Sequence, residues 1–133
     1  MRREPMAVCL SLFRQHFARG QAWTYDLTDL ARYHADYLRL TAHFDAVAPG
    51  RVLRVDYETL VDDLEGQTRR LLAHCGLAFE PACLAFHDTE RPVRTASAAQ
   101  VRTPLFREGL DQWRAYAPWL GPLEAALAQW ADD

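Results

Sequence analysis

The chain has 133 residues, half of them hydrophobic, and carries a formal net charge of −3. Its length suits one packed domain, while the small negative charge excludes the broadly basic surface of a typical nucleic-acid-binding protein. No uncharged stretch is longer than the nine residues of Pro5–Phe13, which is too short to span a bilayer, and no secretory signal pattern opens the chain. We therefore expect a cytoplasmic protein with neither nucleic-acid nor membrane partners.

The first part of the chain predicts two helices. Pro5 suits the first position of a helix, and the apolar run after it predicts helix one as far as Phe17, with Gly20 as its stop. Along the next segment, apolar residues recur at alternating spacings of three and four. This spacing predicts helix two over about Thr28–Ala48, ended by Pro49-Gly50.

A short strand is predicted next. The segment Arg51–Val55 is rich in branched residues and is too short for a helix. Because a single strand cannot form a sheet, we expect its neighbours to come from elsewhere. On this reading the sequence begins within a domain.

The remaining segments predict further helices. Asp62 and Glu65 form a capping-box pattern at the start of helix three, whose apolar stripe runs as far as Cys75. Beyond it we predict short helices over Pro81–Phe86, Glu108–Tyr116 and Pro122–Trp130, with a connector over residues 89–105. That connector shows little helical periodicity, and connectors of this length in compact domains tend to be functional or mobile.

The types of residue present restrict the chemistry. Cys9, Cys75 and Cys83 lie in apolar helical patterns without Cys-x-x-Cys spacing, so we interpret them as reduced core residues. The five histidines include no i,i+4 pair, and no metal site is predicted. All cationic side chains are arginine, which reflects either the codon usage of the genome or a need for planar phosphate-binding groups.

The start of helix one is the first candidate site. Ser11 lies seven positions after Glu4, so the two share a helical face, roughly 10 Å apart along the axis. Arg3, just before the helix, could swing along that face, and a phosphate could be held between its guanidinium and the Ser11 hydroxyl. The alternative is that Ser11 is an ordinary polar residue of a helix and Arg3 a solvated residue that precedes it.

Two other segments carry candidate residues. Tyr57 directly follows the predicted strand, where α/β folds place groups that face a ligand; the alternative is a packed ring whose hydroxyl meets water. In the connector, hydrogen-bond donors alternate with small residues, as in a loop that encloses an anion, and the alternative is a solvated charged loop. These connector donors are Arg94, Ser97, Gln100 and Arg102.

Four ordered blocks together carry a family resemblance. They are Arg-x-Pro with a serine eight positions after the arginine, then VDYETLVDD, then GLAFEPACLAFHDTERPVRTASAAQVRTPL, and finally WRAY. In order and spacing they resemble the carboxy-terminal half of the sulfotransferase family. The similarity is to bacterial enzymes with tetratricopeptide repeats, which are related to protein-tyrosine sulfotransferases.

This resemblance implies a fold and a reaction. The fold would be α/β: residues 1–133 would form the carboxy-terminal half of a nucleotide-kinase-like, parallel-sheet domain, mainly helical with one strand. Family members transfer a sulfuryl group from 3′-phosphoadenosine 5′-phosphosulfate, without a metal, to a hydroxyl or amine. The acceptor of this chain, a small molecule or a protein side chain, is not readable from its sequence.

The resemblance also assigns residues to the cofactor. Arg3 and Ser11 match the positions that bind its 3′-phosphate, and Tyr57 matches the tyrosine that contacts its nucleotide. Ser97 opens the segment that closes over the cofactor. Gln100 and Arg102 follow in that segment.

The chain departs from the family in three respects. Gln15 replaces an arginine of the protein-tyrosine sulfotransferases, with Arg14 beside it on another helical face, and Gln112 replaces a lysine. Neither the loop that binds the 5′-phosphosulfate nor the general base is found in this sequence. We therefore expect a truncated domain, inactive alone; the alternative is a non-catalytic nucleotide-binding or interaction remnant that pairs with another subunit.

Overall fold

The computed structural model describes residues 1–17, 19–88, 102–103, 105 and 107–130. The α-helices of these ranges are α1 (Pro5–Arg14), α2 (Leu27–Val47), α3 (Tyr57–Asp62), α4 (Leu64–His74), α5 (Glu108–Asp111) and α6 (Gly121–Gln129). In the same ranges, 3-10 helices cover Ala22–Tyr25, Pro81–Leu84, Phe86–Asp88 and Gln112–Trp119. No helix in these ranges is long and apolar enough to cross a membrane.

The chain divides into two compact units. The first, here called the bundle unit, comprises Arg3–Val52 and Glu108–Asp133. The second, here called the small unit, comprises Met1–Arg2 and Leu53–Arg107.

Helix α1 begins as predicted and ends early. Pro5 occupies its first turn, and the Glu4 carboxylate accepts a hydrogen bond from the Ala7 backbone N–H at 2.6 Å. This bond satisfies one of the N–H groups that a helix start leaves unpaired. The helix ends at Arg14, because Gln15 adopts an extended conformation, so the predicted end at Phe17 is wrong.

Helix α2 confirms the predicted helix two to within one residue at each end. Its start is capped by Asp26, whose carboxylate accepts from the backbone N–H groups of Thr28 and Asp29 at 2.8 and 3.0 Å. Beyond its end, Gly50 has a φ of +74°, a conformation that residues with a Cβ rarely adopt.

The core of the bundle unit is built by α1, α2 and α6. These helices bury Cys9, Leu30, Ala31 and Leu123, each at most 1% exposed. Large rings pack around them and are only partly buried, among them Trp23 and Trp130. The buried residues of these three helices face one shared interior. Most of the apolar stripe predicted for α2 does not, since four of its residues are 43–61% exposed: Tyr33, Leu40, Phe44 and Val47.

The predicted helix three corresponds to α4, and α3, which directly precedes it, was not predicted from the sequence. The break is at Asp63, which leaves helical geometry after α3 and whose side chain accepts from the Gly66 N–H at 2.9 Å to start α4. The predicted capping role of Asp62 is therefore wrong by one position, since Asp62 is the last residue of α3. Adjacent aspartates are equally good caps in sequence, and only the backbone decides between them.

The other three predicted helices are confirmed in place, and two of them differ in type. The segment predicted as Pro81–Phe86 forms two 3-10 turns, and the one predicted as Glu108–Tyr116 is a single α-turn followed by 3-10 helix. The carboxy-terminal helix agrees with its predicted range to within one residue. The connector over residues 89–105 lies almost wholly outside the described residues.

The predicted α/β fold with a parallel sheet is wrong for the described residues. None of them forms a strand, and the segment Arg51–Val55, predicted as one, is bent and irregular. Arg2 and Asp56 form an isolated parallel bridge instead. The physical reason is that a strand needs a neighbour to bond its backbone groups along its whole length, and this segment finds a partner at one point.

The predicted burial of the cysteines is confirmed for one of three. Cys9 is buried in the bundle unit, whereas Cys75 and Cys83 are exposed in the small unit, and none forms a disulfide. Burial, assisted by the nearby charge of Glu4, raises the pKa of the Cys9 thiol to about 12. Cys9 is therefore an uncharged core group.

Candidate functional site

Arg3 lies directly before α1 in the bundle unit and is half-buried. Its Nη2 donates a hydrogen bond to the backbone carbonyl oxygen of Gly109 in α5. This contact, between residues 106 positions apart in sequence, directs the guanidinium towards the segment that follows the connector. A guanidinium presents five N–H groups in a planar fork, which lets one arginine serve a carbonyl and an anion together.

Ser11 lies in the last turn of α1 and is exposed. The buried residues of the helix, including Cys9 and Leu10, occupy its other positions, so the Ser11 hydroxyl does not belong to the core. The structure thus carries Arg3 and Ser11 at the two ends of one short, rigid helix. Ser11 lies seven positions after Glu4, the cap of the helix, which sets an axial distance of roughly 10 Å between them.

Arg14 is a further cation near Ser11 that the sequence interpretation set aside. Its Nη1 lies 3.5 Å from Gln112 Oε1, and its guanidinium carbon lies 5.5 Å from the centre of the Tyr116 ring. Gln112 is the position at which the resemblance noted a lost lysine. The long side chain of Arg14 therefore brings a positive charge beside that position, although its backbone is on α1.

Arg114, in the same 3-10 helix as Gln112, is balanced by a neighbour. Its Nε donates to Asp111 Oδ1 at 2.7 Å. That hydrogen bond, together with the charge of Asp111, raises the pKa of Arg114. Arg14, by contrast, contacts two neutral residues of this 3-10 helix, Gln112 and Tyr116.

Tyr57 belongs to the small unit and begins α3. It is half-buried, and its backbone N–H donates to the carbonyl oxygen of Arg2 at 2.8 Å. The sequence predicted Tyr57 at the end of a strand. In the structure it follows the isolated bridge at Asp56, which still fixes its backbone at one point.

The connector residues are only partly described. Arg102 is exposed and belongs to the small unit, while Ser97, Gln100 and Arg94 lie outside the described residues. Within the described ranges, no group of three or more His, Cys, Asp or Glu side chains could hold a metal ion.

Comparison with known proteins gives a family and one long relative. The family model described as "Sulfotransferase family" matches residues 1–81. An uncharacterized protein of Aquifex aeolicus (strain VF5) is 31% identical over 132 residues, which is 97% of this chain and 17% of that protein. The chain therefore spans about a sixth of the length of this relative. No solved structure matches the chain significantly.

Proposed function

The chain belongs to the sulfotransferase family, and on that premise we propose that it supplies the part of a sulfotransferase that binds the 3′-phosphate end of 3′-phosphoadenosine 5′-phosphosulfate. In this proposal Arg3 and Ser11 bind the 3′-phosphate and Tyr57 contacts the nucleotide. Ser97, Gln100 and Arg102 complete the set from the connector. The cofactor donates its sulfuryl group to a hydroxyl or amine of an acceptor that we do not assign.

The family match itself is the observation that carries the proposal. Its 81 residues begin before Arg3 and continue past Tyr57, so three of the six proposed cofactor residues lie inside the matched region. The other three lie beyond residue 81 and rest on the resemblance of the connector block alone. The order of that block and of WRAY after the matched region also supports the proposed kinship with tetratricopeptide-repeat and protein-tyrosine sulfotransferases.

The chemistry of α1 fits a phosphate ligand. A phosphate dianion is bound best by a planar guanidinium fork, to which a hydroxyl adds a neutral donor. Arg3 supplies the first at the start of α1, and Ser11 supplies the second on the exposed part of the helix. Ser11 lies on the rigid helix and Arg3 just before its start, so little side-chain freedom beyond that of Arg3 itself is lost on binding.

Calorimetric titration with adenosine 3′,5′-bisphosphate tests the proposal. We expect weak binding to the full chain and at least tenfold weaker binding by Arg3→Ala, because a charge-assisted hydrogen bond contributes about 1.5–3 kcal/mol. Adenosine 5′-monophosphate, which lacks the 3′-phosphate, should bind equally to both proteins. Arg39→Ala is the matched control, since it removes the same charge from an exposed position of α2.

One result would contradict the proposal, and a second assay separates it from its alternative. Equal affinity of wild type and Arg3→Ala for the bisphosphate would reject the 3′-phosphate assignment. A second assay follows transfer of radiolabelled sulfate from the cofactor to a panel of phenols and amines. Bisphosphate binding without transfer would favour the alternative, a nucleotide-binding module without catalysis, and would support the view that this chain lacks activity alone.

A further inference from the structure

The bundle unit contains an apolar cavity of about 90 Å³ next to α2. Ala31 and Ala35, one helical turn apart, leave the space, and Leu127 and Trp130 of the carboxy-terminal segment help to line it. Both alanines are almost completely buried, at 0% and 4% exposed. The hollow therefore arises because two small residues face large ones across a helix contact.

The volume of this cavity suits a group of several heavy atoms. A water molecule takes up about 30 Å³ of liquid and needs two to four polar partners to remain in a cavity. The lining offers mostly carbon, so ordered water gains little there. An engineered apolar cavity of about 150 Å³ binds benzene, so a space of about 90 Å³ takes a smaller apolar group whole or a ring in part.

Trp130 contributes one polar group to the lining, its buried indole N–H, which has no hydrogen-bond partner among the described residues. The other polar side chain is His34. It lies on the same helix between Ala31 and Ala35 and is half-buried. Its ring centre lies 5.9 Å from that of Tyr37, and across the described ranges no hydrogen bond to its nitrogens is present. Burial lowers the pKa of His34, an effect that the charge of Glu4 opposes. A neutral imidazole offers one donor and one acceptor.

We propose that this cavity binds a small molecule that has one compact apolar part, the size of a single ring or short branched chain, and one hydroxyl group. The apolar part fills the space beside Ala31 and Ala35. The hydroxyl bonds to the His34 imidazole, because a hydroxyl both donates and accepts and so suits either tautomer. The inference rests on the lining alone and is independent of the proposed sulfuryl transfer.

Phenol and benzene are the matched probes, since they differ by the hydroxyl alone. Nuclear magnetic resonance of the full chain would follow the His34 ring and the Trp130 indole during titration with each. We expect both signals to shift, and phenol to bind about fivefold tighter than benzene, because one neutral hydrogen bond contributes about that factor. The signal of Trp119, which is 70% exposed, should not move.

Two variants separate the hydroxyl contact from the cavity. His34→Leu should lower the affinity for phenol to that for benzene, whereas His43→Leu, on the exposed end of α2, should leave both unchanged. Ala35→Leu should fill the space and remove binding of both probes. If Ala35→Leu does not fold, contacts between phenol protons and the Ala31 and Ala35 methyl groups of the wild type decide the matter. Any of three results would overturn the proposal. These are equal affinity of the wild type for phenol and benzene, signal shifts at neither His34 nor Trp130, and absence of contacts between phenol and the two alanine methyl groups.

Discussion

Arg2 and Asp56 are joined through both backbone and side chain. Arg2 donates from its backbone N–H to Val55 O at 2.7 Å and accepts from the Tyr57 N–H at 2.8 Å, while its Nε contacts Asp56 Oδ1 at 2.6 Å. The two backbone bonds fix the start of the chain against the residue before α3. The ion pair adds little stability to these bonds, because both of its side chains are about half exposed to water.

We predict that loss of this ion pair has little effect on stability. Asp56→Asn should lower the free energy of unfolding by less than about 1 kcal/mol, because exposed ion pairs are screened by water. Val55→Ala, which removes buried apolar surface beside the same bridge, should cost more, on the order of 1–2 kcal/mol. Urea unfolding followed by circular dichroism measures both, and a larger loss in Asp56→Asn would show that the ion pair holds the bridge.

The cap of α4 gives a second prediction. Asp63→Ala should lower the stability of the small unit by about 0.5–2 kcal/mol, because the Gly66 N–H loses its acceptor. Asp62→Ala is the control, since Asp62 contacts Arg107 on the surface and should lose less than about 1 kcal/mol. Circular dichroism is the suitable probe, because all four tryptophans belong to the bundle unit. The opposite order of the two losses would restore Asp62 as the cap.

Gly66 gives a third prediction, because one of its α-hydrogens lies where a Cβ would meet the Asp63 side chain that caps α4. A Cβ built at this position would overlap the Asp63 carboxylate. Gly→Ala within a helix ordinarily stabilises by up to about 1 kcal/mol, but here we expect Gly66→Ala to be neutral or destabilising. In the Asp63→Ala background the overlap is absent, and the same change should stabilise. Additive effects of the two changes in a double-mutant cycle would contradict this coupling.

The helices could be predicted well because local signals determine them. Asp26 before α2 and the apolar spacing from Leu30 to Val47 need no knowledge of the rest of the fold. The sheet could not be predicted in this way. A strand depends on a partner elsewhere in the chain. The branched residues of Arg51–Val55 favour a strand, but the described residues form none there.

The candidate site shows a similar division. The sequence alone placed Ser11 on a helix and Arg3 just before its start, because helical geometry fixes the spacing from Glu4 to Ser11. It set Arg14 aside for its face of the helix and did not anticipate the contact with Gln112, 98 positions away. The length of an arginine side chain and the path of the segment after α5 decide that contact, and no local pattern encodes either one.

The fourth prediction concerns the core of the bundle unit. Leu123→Ala should lower its stability by about 2–5 kcal/mol, because this side chain is completely buried and its removal leaves a cavity. Leu40→Ala is the control, since Leu40 is 53% exposed and should lose less than about 1 kcal/mol. Tryptophan fluorescence during urea unfolding reports on this unit. Similar losses in both variants would show that α6 is not part of the core.

The last prediction follows from the raised pKa of Cys9. The pKa of this thiol is about 12 in the folded protein against 9.0 as the reference value, so the unfolded chain loses its proton first as the pH rises. The contribution of the neutral thiol to stability is therefore complete below about pH 9 and is lost as the pH rises from there to about 12. Each pH unit in that window removes up to about 1.4 kcal/mol.

Comparison of wild type with Cys9→Ala isolates this effect, because every other titratable group is present in both proteins. We expect the free energy of unfolding, measured by tryptophan fluorescence, to fall more steeply with pH in wild type than in Cys9→Ala between pH 9 and 12. Cys75→Ala should keep the wild-type slope, since Cys75 is exposed in the small unit. Equal slopes for wild type and Cys9→Ala would mean that the thiol meets water in the folded protein, and that the contact between α1 and α2 is looser than its burial indicates.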